Sequence, residues 1–233
     1  MSALRLQTIN RTSASGRKQT VSKRIIIKYQ HMKHLKILAL LVISINSAAE
    51  VTEQVDFEYY YVNGQTMKEL TLSMKENSPV IRGNSKHAAT ARLKIQYRYS
   101  NHKNTAGCSL INPEVRLKTT YVLPKIIENR SSDRVITVFK EYLSRLMKHE
   151  QAHRNIAFES AQQLDKSLAL LPLAIDCASL KRNTRTLYSR INEDQKRRNQ
   201  IYDKETQHGV LQGVSFMDIV KPLVKTRKEL LEF

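Results

Sequence analysis

The residues of this chain best suited to chemistry are His-Glu-Gln-Ala-His, from His149 to His153. Two imidazoles four positions apart point to nearly the same side of a helix, so both could reach one tetrahedral Zn²⁺ at about 2.0 to 2.1 Å. Glu150 then stands where it can take the proton of a water whose pKa the metal lowers. The spacing predicts metal-assisted hydrolysis of an amide bond, with Glu150 as the general base.

A third protein ligand has to come from elsewhere, because a catalytic zinc site uses three protein ligands and keeps a fourth position open. The residues after His153 do not continue as x-x-Gly-x-x-His, and Glu159 would face another side of the helix. Two downstream carboxylates, Glu193 and Asp194, and the imidazole of His208 are the candidates. The residues alone leave this choice open.

Long helices are expected to position the motif. Apolar residues recur at helical spacing from Val135 to Leu168, after the N-cap candidates at 131–133 and before Pro172. This pattern predicts one long helix with the motif in its middle. A second helix is predicted over about residues 176–200, followed by a loop with two glycines.

Three earlier segments have strand character, namely Val55–Val62, Ala89–Ser100 and Val115–Leu123. A short helix is predicted after Thr66, which forms a Thr-x-x-Glu capping box with Glu69. Strands first and helices afterwards predict an α+β fold. We expect a small antiparallel sheet followed by a long zincin-like His-Glu-x-x-His helix and a second helix.

Residues 32–49 have the parts of a cleaved secretory signal peptide: a short positive stretch, an apolar run at 37–45, and the small residues Ser47 and Ala49. The apolar run is shorter than the roughly 20 residues of a membrane span. A secreted or periplasmic protein without a stable membrane span is expected. Residues 1–31 are predicted to be a disordered extension or to precede the true start.

The net charge of +18 at first suggests a nucleic-acid partner. Nine of the 39 lysines and arginines lie in residues 1–49, which contain no acid, so residues 50–233 keep a net charge of +9. No aromatic or helix-turn-helix platform accompanies that charge. Together with export, this favours a chain that does not bind nucleic acid.

The remaining sequence divides into a folded domain, residues 50–216, and a Lys-rich amphipathic tail, residues 217–233, expected to form a surface helix or to contact a partner. Its only cysteines, Cys108 and Cys177, lie in the folded domain. In an exported chain such a pair is predicted to form a disulfide.

Five stretches share a pattern: YYYVNGQTMKEL, ATARLKIQYRYS, LPK before the long helix, HEQAH, and YDKETQHGVLQG. Over about Glu53 to Phe216 they resemble a family of exported bacterial proteins, domain of unknown function 922, described as predicted secreted zinc-dependent proteases. The resemblance implies that His208, in the Tyr-Asp-x-x-Thr-x-His-Gly element, is a better third ligand than the two carboxylates. The chain lacks the tryptophan that relatives often carry, a departure that concerns substrate contacts.

The function predicted from these observations is an exported zinc metallopeptidase acting on a peptide or protein of the cell envelope. His149, His153 and His208 would bind Zn²⁺, Glu150 would be the base, and Tyr202 could donate to the oxyanion. The alternative is a non-enzymatic, zinc-stabilised envelope protein that binds a partner. A structural zinc site of that kind would have four protein ligands and no open position.

Overall fold

The computed structural model describes residues 51–224, so the predicted signal segment 32–49, residues 1–31 and the end of the tail lie outside it. In chain order the elements are β1 (Thr52–Val62), α1 (Met67–Asn77), β2 (Val80–Arg82), β3 (Ser85–His87), β4 (Thr90–Asn104), β5 (Gly107–Ile126), α2 (Asp133–Ala169), α3 (Cys177–Thr206) and α4 (Phe216–Val220). The α+β class is confirmed. Within the described range, no helix combines the length and apolarity needed to cross a bilayer.

The main sheet has three strands in the order β1-β5-β4 and is mixed. β4 and β5 form an antiparallel hairpin, whereas β1 runs parallel to β5, with Thr52 opposite Arg116 and Val62 opposite Ile126. The prediction of an antiparallel sheet was therefore wrong. Alternation along a strand indicates which face is buried, but it carries no information about the neighbour with which the strand pairs.

β5 continues through Pro124, which the sequence predicted as its end. The strand tolerates this proline because β4 begins at Thr90, opposite Val122. Pro124 lies beyond that pairing, so its missing N–H costs no hydrogen bond to β4. The strands predicted at 55–62 and 89–100 are also present, each extended by several residues.

The first helix begins where the capping box predicted it. The Thr66 hydroxyl accepts from the backbone N–H of Glu69, whose carboxylate accepts from the N–H of Gln65 (2.7 Å). The small hairpin of β2 and β3 that follows was not predicted, because its strands are only three residues long. It pairs Val80 with His87 and turns at Gly83, which has a φ of 58°.

Helix α2 is one helix of 37 residues, as predicted, with Ser132 as its N-cap. It packs along β5 and against α3. Its first half contributes Phe139 and Leu146 to one apolar core, and its second half contributes Ala157 and Leu164 to another. The His-Glu-Gln-Ala-His motif therefore lies on α2 between two packed regions, which hold the helix on both sides of it.

Helix α3 is longer than predicted and ends at Thr206, not near Gln200. Its C-cap, Gln207, adopts the left-handed conformation (φ 49°) and donates its N–H to the carbonyls of Asp203 and Lys204. The extension places Tyr202 and Asp203 on a helix, whereas the sequence indicated a loop. At the other end of α3 the predicted disulfide between Cys108 and Cys177 is confirmed.

The described part of the predicted tail packs against the domain. α4 contacts α2, where the ring of Phe216 stacks on Tyr142 with ring centroids 4.1 Å apart. Ile219 and Val220 are buried in the same core as Phe139. This part of the segment therefore belongs to the domain core and covers the first half of α2.

Candidate metal centre

Three side chains from two helices meet beside the motif. His149 and His153 lie one turn apart on α2, and Asp203 faces them from the last turns of α3. The two Nε2 atoms are 3.3 Å apart, and Asp203 Oδ1 lies 3.3 Å from the first and 3.0 Å from the second. These atoms form a compact triangle of metal-ligand type.

The other ring nitrogens of both histidines are held by amide oxygens. His153 Nδ1 donates to Asn199 Oδ1 (2.7 Å), and the orientation of that amide is fixed because its nitrogen donates to the carbonyl of Gln195 (3.0 Å). His149 Nδ1 donates to Gln212 Oε1 (2.9 Å). When Nδ1 of a neutral imidazole carries the proton, Nε2 carries the lone pair. Both lone pairs then point towards the carboxylate.

Three electron-rich atoms thus face one another in a buried place, since both histidines are about 5% exposed or less. Burial alone would lower the pKa of His149, but its bonds to Asp203 and Gln212 raise it. Burial would raise the pKa of Asp203, yet its bonds to His149 and His153 hold it well below the usual range.

The second oxygen of Asp203 is held by the β2–β3 hairpin. Arg82 Nη1 lies 3.1 Å from Asp203 Oδ2, and Arg82 Nη2 donates to Thr90 Oγ1 (3.0 Å). This arrangement orients the carboxylate and leaves Oδ1 for the histidines. Partners of this kind, which fix the orientation of a ligand group, accompany most metal sites in proteins.

Glu150 is buried (3% exposed) beside the two histidines. Its Oε2 accepts from the backbone N–H of Ala91 at the start of β4 (2.7 Å), and burial raises its pKa despite the neighbouring imidazoles. Glu150 and the cluster line the same small cavity, of about 90 Å³. A carboxylate with a raised pKa in such a cavity suits proton transfer near neutral pH.

Tyr202 and Gly209 shape the wall next to His149. The ring of Tyr202 stacks on His149 at 5.1 Å between centroids and meets His153 edge-on at 5.0 Å, while its hydroxyl accepts from Gln212 Nε2 (2.9 Å). Gly209 has a φ of 87°, and a Cβ there would lie 3.2 Å from Cγ of His149 and 2.8 Å from Val214 Cγ2. Only glycine combines this left-handed backbone conformation with the absence of a Cβ that would meet these two side chains.

The other predicted ligand candidates differ in position. His208 lies at the rim of the cavity with 59% of its side chain exposed, and its Nδ1 is 3.5 Å from Asp203 Oδ1. It is not in the compact triangle. Glu193 and Asp194 line a different groove, where Asp194 pairs with Arg197.

The sequence did not indicate Asp203 or Arg82 as residues of the site. It also did not indicate His87, whose ring lies 5.7 Å from that of His208. Asp203 had a detectable signal, since Asn199 and Asp203 are four residues apart and share one face of α3. The signal was lost because the helix was expected to end near Gln200. Arg82 had none, because its contact depends on a hairpin too short to predict.

Comparison with known proteins identifies one family, described as "Bacterial protein of unknown function (DUF922)", which matches residues 57–209. The matched range contains the two histidines, Glu150 and Asp203. No curated protein and no solved structure matches the chain.

Proposed function

Because the chain belongs to the DUF922 family of bacterial proteins, whose function is unknown, we propose its function from the site: an exported, zinc-dependent peptidase. The triangle of His149 Nε2, His153 Nε2 and Asp203 Oδ1 carries the proposal, because three electron-rich atoms at 3.0–3.3 Å, two of them on buried histidines, call for a cation among them. The helix of the motif would then be of zincin type.

The triangle fits zinc in size and in donor type. Ligand atoms 2.0 to 2.1 Å from an ion, at tetrahedral angles, lie about 3.3 Å from one another. The observed separations of 3.3, 3.3 and 3.0 Å are close to this value. Two imidazole nitrogens and one carboxylate oxygen are also a donor set that zinc enzymes use, and they leave a fourth position open.

A zinc ion held there would polarise a substrate carbonyl and lower the pKa of a water. Glu150 would be the carboxylate that accepts a proton in this cavity and returns it to the leaving amine; its raised pKa and its place in the cavity support this role. His208 stands exposed at the rim, where it can contact substrate. The hydroxyl of Tyr202 accepts a hydrogen bond from Gln212. It thereby helps to orient the Gln212 amide, which in turn holds His149.

Export and an envelope peptide or protein as substrate complete the proposal. They rest on the signal-like residues 32–49, and the disulfide between Cys108 and Cys177 supports them because such bonds persist in oxidising compartments. N-terminal sequencing of exported protein should give a chain that starts near Glu50. Protein retained inside the cell with Met1 intact would contradict export.

One observation favours the alternative, a non-enzymatic protein in which zinc only stabilises the fold. His208 Nδ1 is 3.5 Å from Asp203 Oδ1, so a modest shift would make it a fourth ligand and close the site. A closed site has no place for a water. A crystal structure of the zinc-loaded protein separates the two: His208 bound together with Asp203 and both motif histidines means a closed site, and a water in place of the fourth protein ligand means an open one.

The decisive experiment compares zinc content and peptide hydrolysis in three proteins: the natural chain, Glu150→Gln, and Glu159→Gln as an exposed carboxylate control on the same helix. About one zinc per chain should be present in all three. Hydrolysis should fall by roughly 10² or more only in Glu150→Gln, since the amide cannot accept a proton. Loss of zinc from Glu150→Gln, or unchanged hydrolysis, would overturn the proposed role.

A further inference from the structure

The loop between α2 and α3 exposes an unusual amount of apolar surface. Leu170 is 82% exposed, Ile175 is 86% exposed and Leu173 is 49% exposed. The first two are the most exposed of the large apolar side chains in residues 51–224. They project from one end of the domain, which is formed by this loop and the β4–β5 hairpin.

The loop between α2 and α3 is fixed to the β4–β5 hairpin by backbone hydrogen bonds and by the disulfide. Ala174 exchanges two backbone hydrogen bonds with Cys108, of 2.8 and 3.0 Å, and Cys108 is joined to Cys177 by the disulfide. Gly107 allows the close approach, because a Cβ there would lie 2.3 Å from the carbonyl oxygen of Ala174. The leucine and isoleucine are therefore presented by a braced loop and cannot readily fold back onto the core.

Positive charge surrounds these apolar side chains. Lys166 lies one turn before Leu170, Lys181 and Arg182 are in the first turns of α3, and Lys103 is on the hairpin opposite Cys108; all four are exposed. The only exposed acid of residues 166–185 is Asp176, whose carboxylate accepts from the N–H of Ser179 as the cap of α3. The end of the domain is thus an apolar tip inside a basic ring.

We propose that this tip, Leu170, Leu173 and Ile175 with its ring of lysine and arginine, docks the protein on the surface of a bilayer rich in anionic phospholipid. Apolar side chains that enter the headgroup region and cations that remain at the phosphates are the two parts of interfacial binding. A folded protein partner would match the apolar tip, but the ring of cations favours a surface of dense negative charge. The proposal is independent of zinc and of hydrolysis.

The chain contains no tryptophan, which permits a local reporter of binding. Ile175→Trp places one indole in the tip, and Ile81→Trp, at a site 65% exposed on the β2–β3 hairpin, is the matched control. The full chain of each variant is mixed with vesicles of phosphatidylglycerol and phosphatidylcholine in equal parts. Emission of Ile175→Trp should shift to shorter wavelength and resist a soluble quencher, whereas Ile81→Trp should be unchanged.

A second pair of variants tests how strongly the tip contributes to the affinity for vesicles, measured by vesicle flotation. Leu170→Ser with Ile175→Ser should weaken binding by at least about tenfold, because most of the inserted apolar area is lost. Leu211→Ser, at a site 65% exposed in the turn between α3 and α4, should bind as the natural chain does. Binding should also weaken as salt rises and be weaker on pure phosphatidylcholine.

Three results would overturn the proposal. One is an indole at position 175 that keeps its emission while the protein floats with vesicles, which would assign binding to another segment such as the apolar residues 37–45. Another is equal affinity for neutral and anionic vesicles. The third is a Leu170→Ser, Ile175→Ser variant that binds as well as the Leu211→Ser control.

Discussion

Asp203 Oδ1 lies 3.0 Å from Nε2 of His153, although fifty residues separate them in sequence. The contact joins the two long helices at the motif. It depends on α3 continuing past Gln200, so that Asp203 still faces α2. The position of this one carboxylate turns a pair of histidines into a three-atom site.

Substitution of Asp203 tests which third ligand the protein uses. Asp203→Asn removes the charge but keeps the shape, and it should lower zinc affinity by roughly 10² or more, because an amide oxygen is a far weaker ligand. His208→Ala should keep about one zinc per chain. Zinc lost from His208→Ala but retained by Asp203→Asn would instead make His208 the third ligand. Affinity is measured by competition with a coloured chelator, and Glu193→Ala is the control.

Removal of the Asn199 amide tests the orientation of His153. Asn199→Ala deletes the acceptor 2.7 Å from Nδ1, and loss of such a supporting partner costs about 10- to 100-fold in metal affinity. Gln200→Ala, at the adjacent exposed position, should leave affinity unchanged. Circular dichroism checks that both variants keep their helices. Equal affinities in the two variants would show that the amide does not orient the ring.

The ion pair of Glu53 with Arg154 predicts a change of stability with pH. Arg154 Nε lies 2.8 Å from Glu53 Oε1, and this hydrogen bond is the main cause that lowers the pKa of Glu53 from its usual value, against the opposing effect of burial. A carboxylate with a lowered pKa contributes stability above its unfolded pKa and loses it as pH falls through the folded value.

Glu53→Gln should therefore lower the free energy of unfolding at neutral pH by on the order of 1 kcal/mol, and the difference should shrink as pH falls through the lowered pKa of Glu53. The control is Glu58→Gln, whose partner Arg92 and own side chain are each 53% exposed. Exposed pairs contribute little, so this variant should stay close to the natural chain. A Glu53→Gln difference that is constant with pH would contradict the mechanism. Urea unfolding at several pH values measures the difference in the free energy of unfolding between each variant and the natural chain.

The disulfide closes a long segment and should contribute strongly to stability. Cys108 and Cys177 are 69 residues apart, so Cys108→Ala with Cys177→Ala should lower the free energy of unfolding by roughly 4 kcal/mol in the chain-entropy model. The natural chain measured with reductant is the control and should lose a similar amount. A loss confined to the double variant would point to packing of Cys108, which is fully buried.

The sequence by itself predicted those parts of the protein that depend on local patterns. Helical periodicity placed the two histidines and Glu150 on one long helix, and the Thr-x-x-Glu pattern marked the start of α1. The cysteine count, taken with a predicted signal peptide, predicted the pair Cys108–Cys177. Each of these follows from residues close together in the chain or from composition, so no knowledge of the packing was needed.

The tertiary structure alone decided the contacts between distant segments. It paired β1 in parallel with β5, carried α3 on to Asp203, and brought Arg82 from a small hairpin to the far oxygen of that carboxylate. His208, which the Tyr-Asp-x-x-Thr-x-His-Gly element suggested as the third ligand, lies at the rim of the cavity and outside the triangle. Such positions depend on how helices and strands pack across the whole domain, and side-chain periodicity along a single segment does not record that packing.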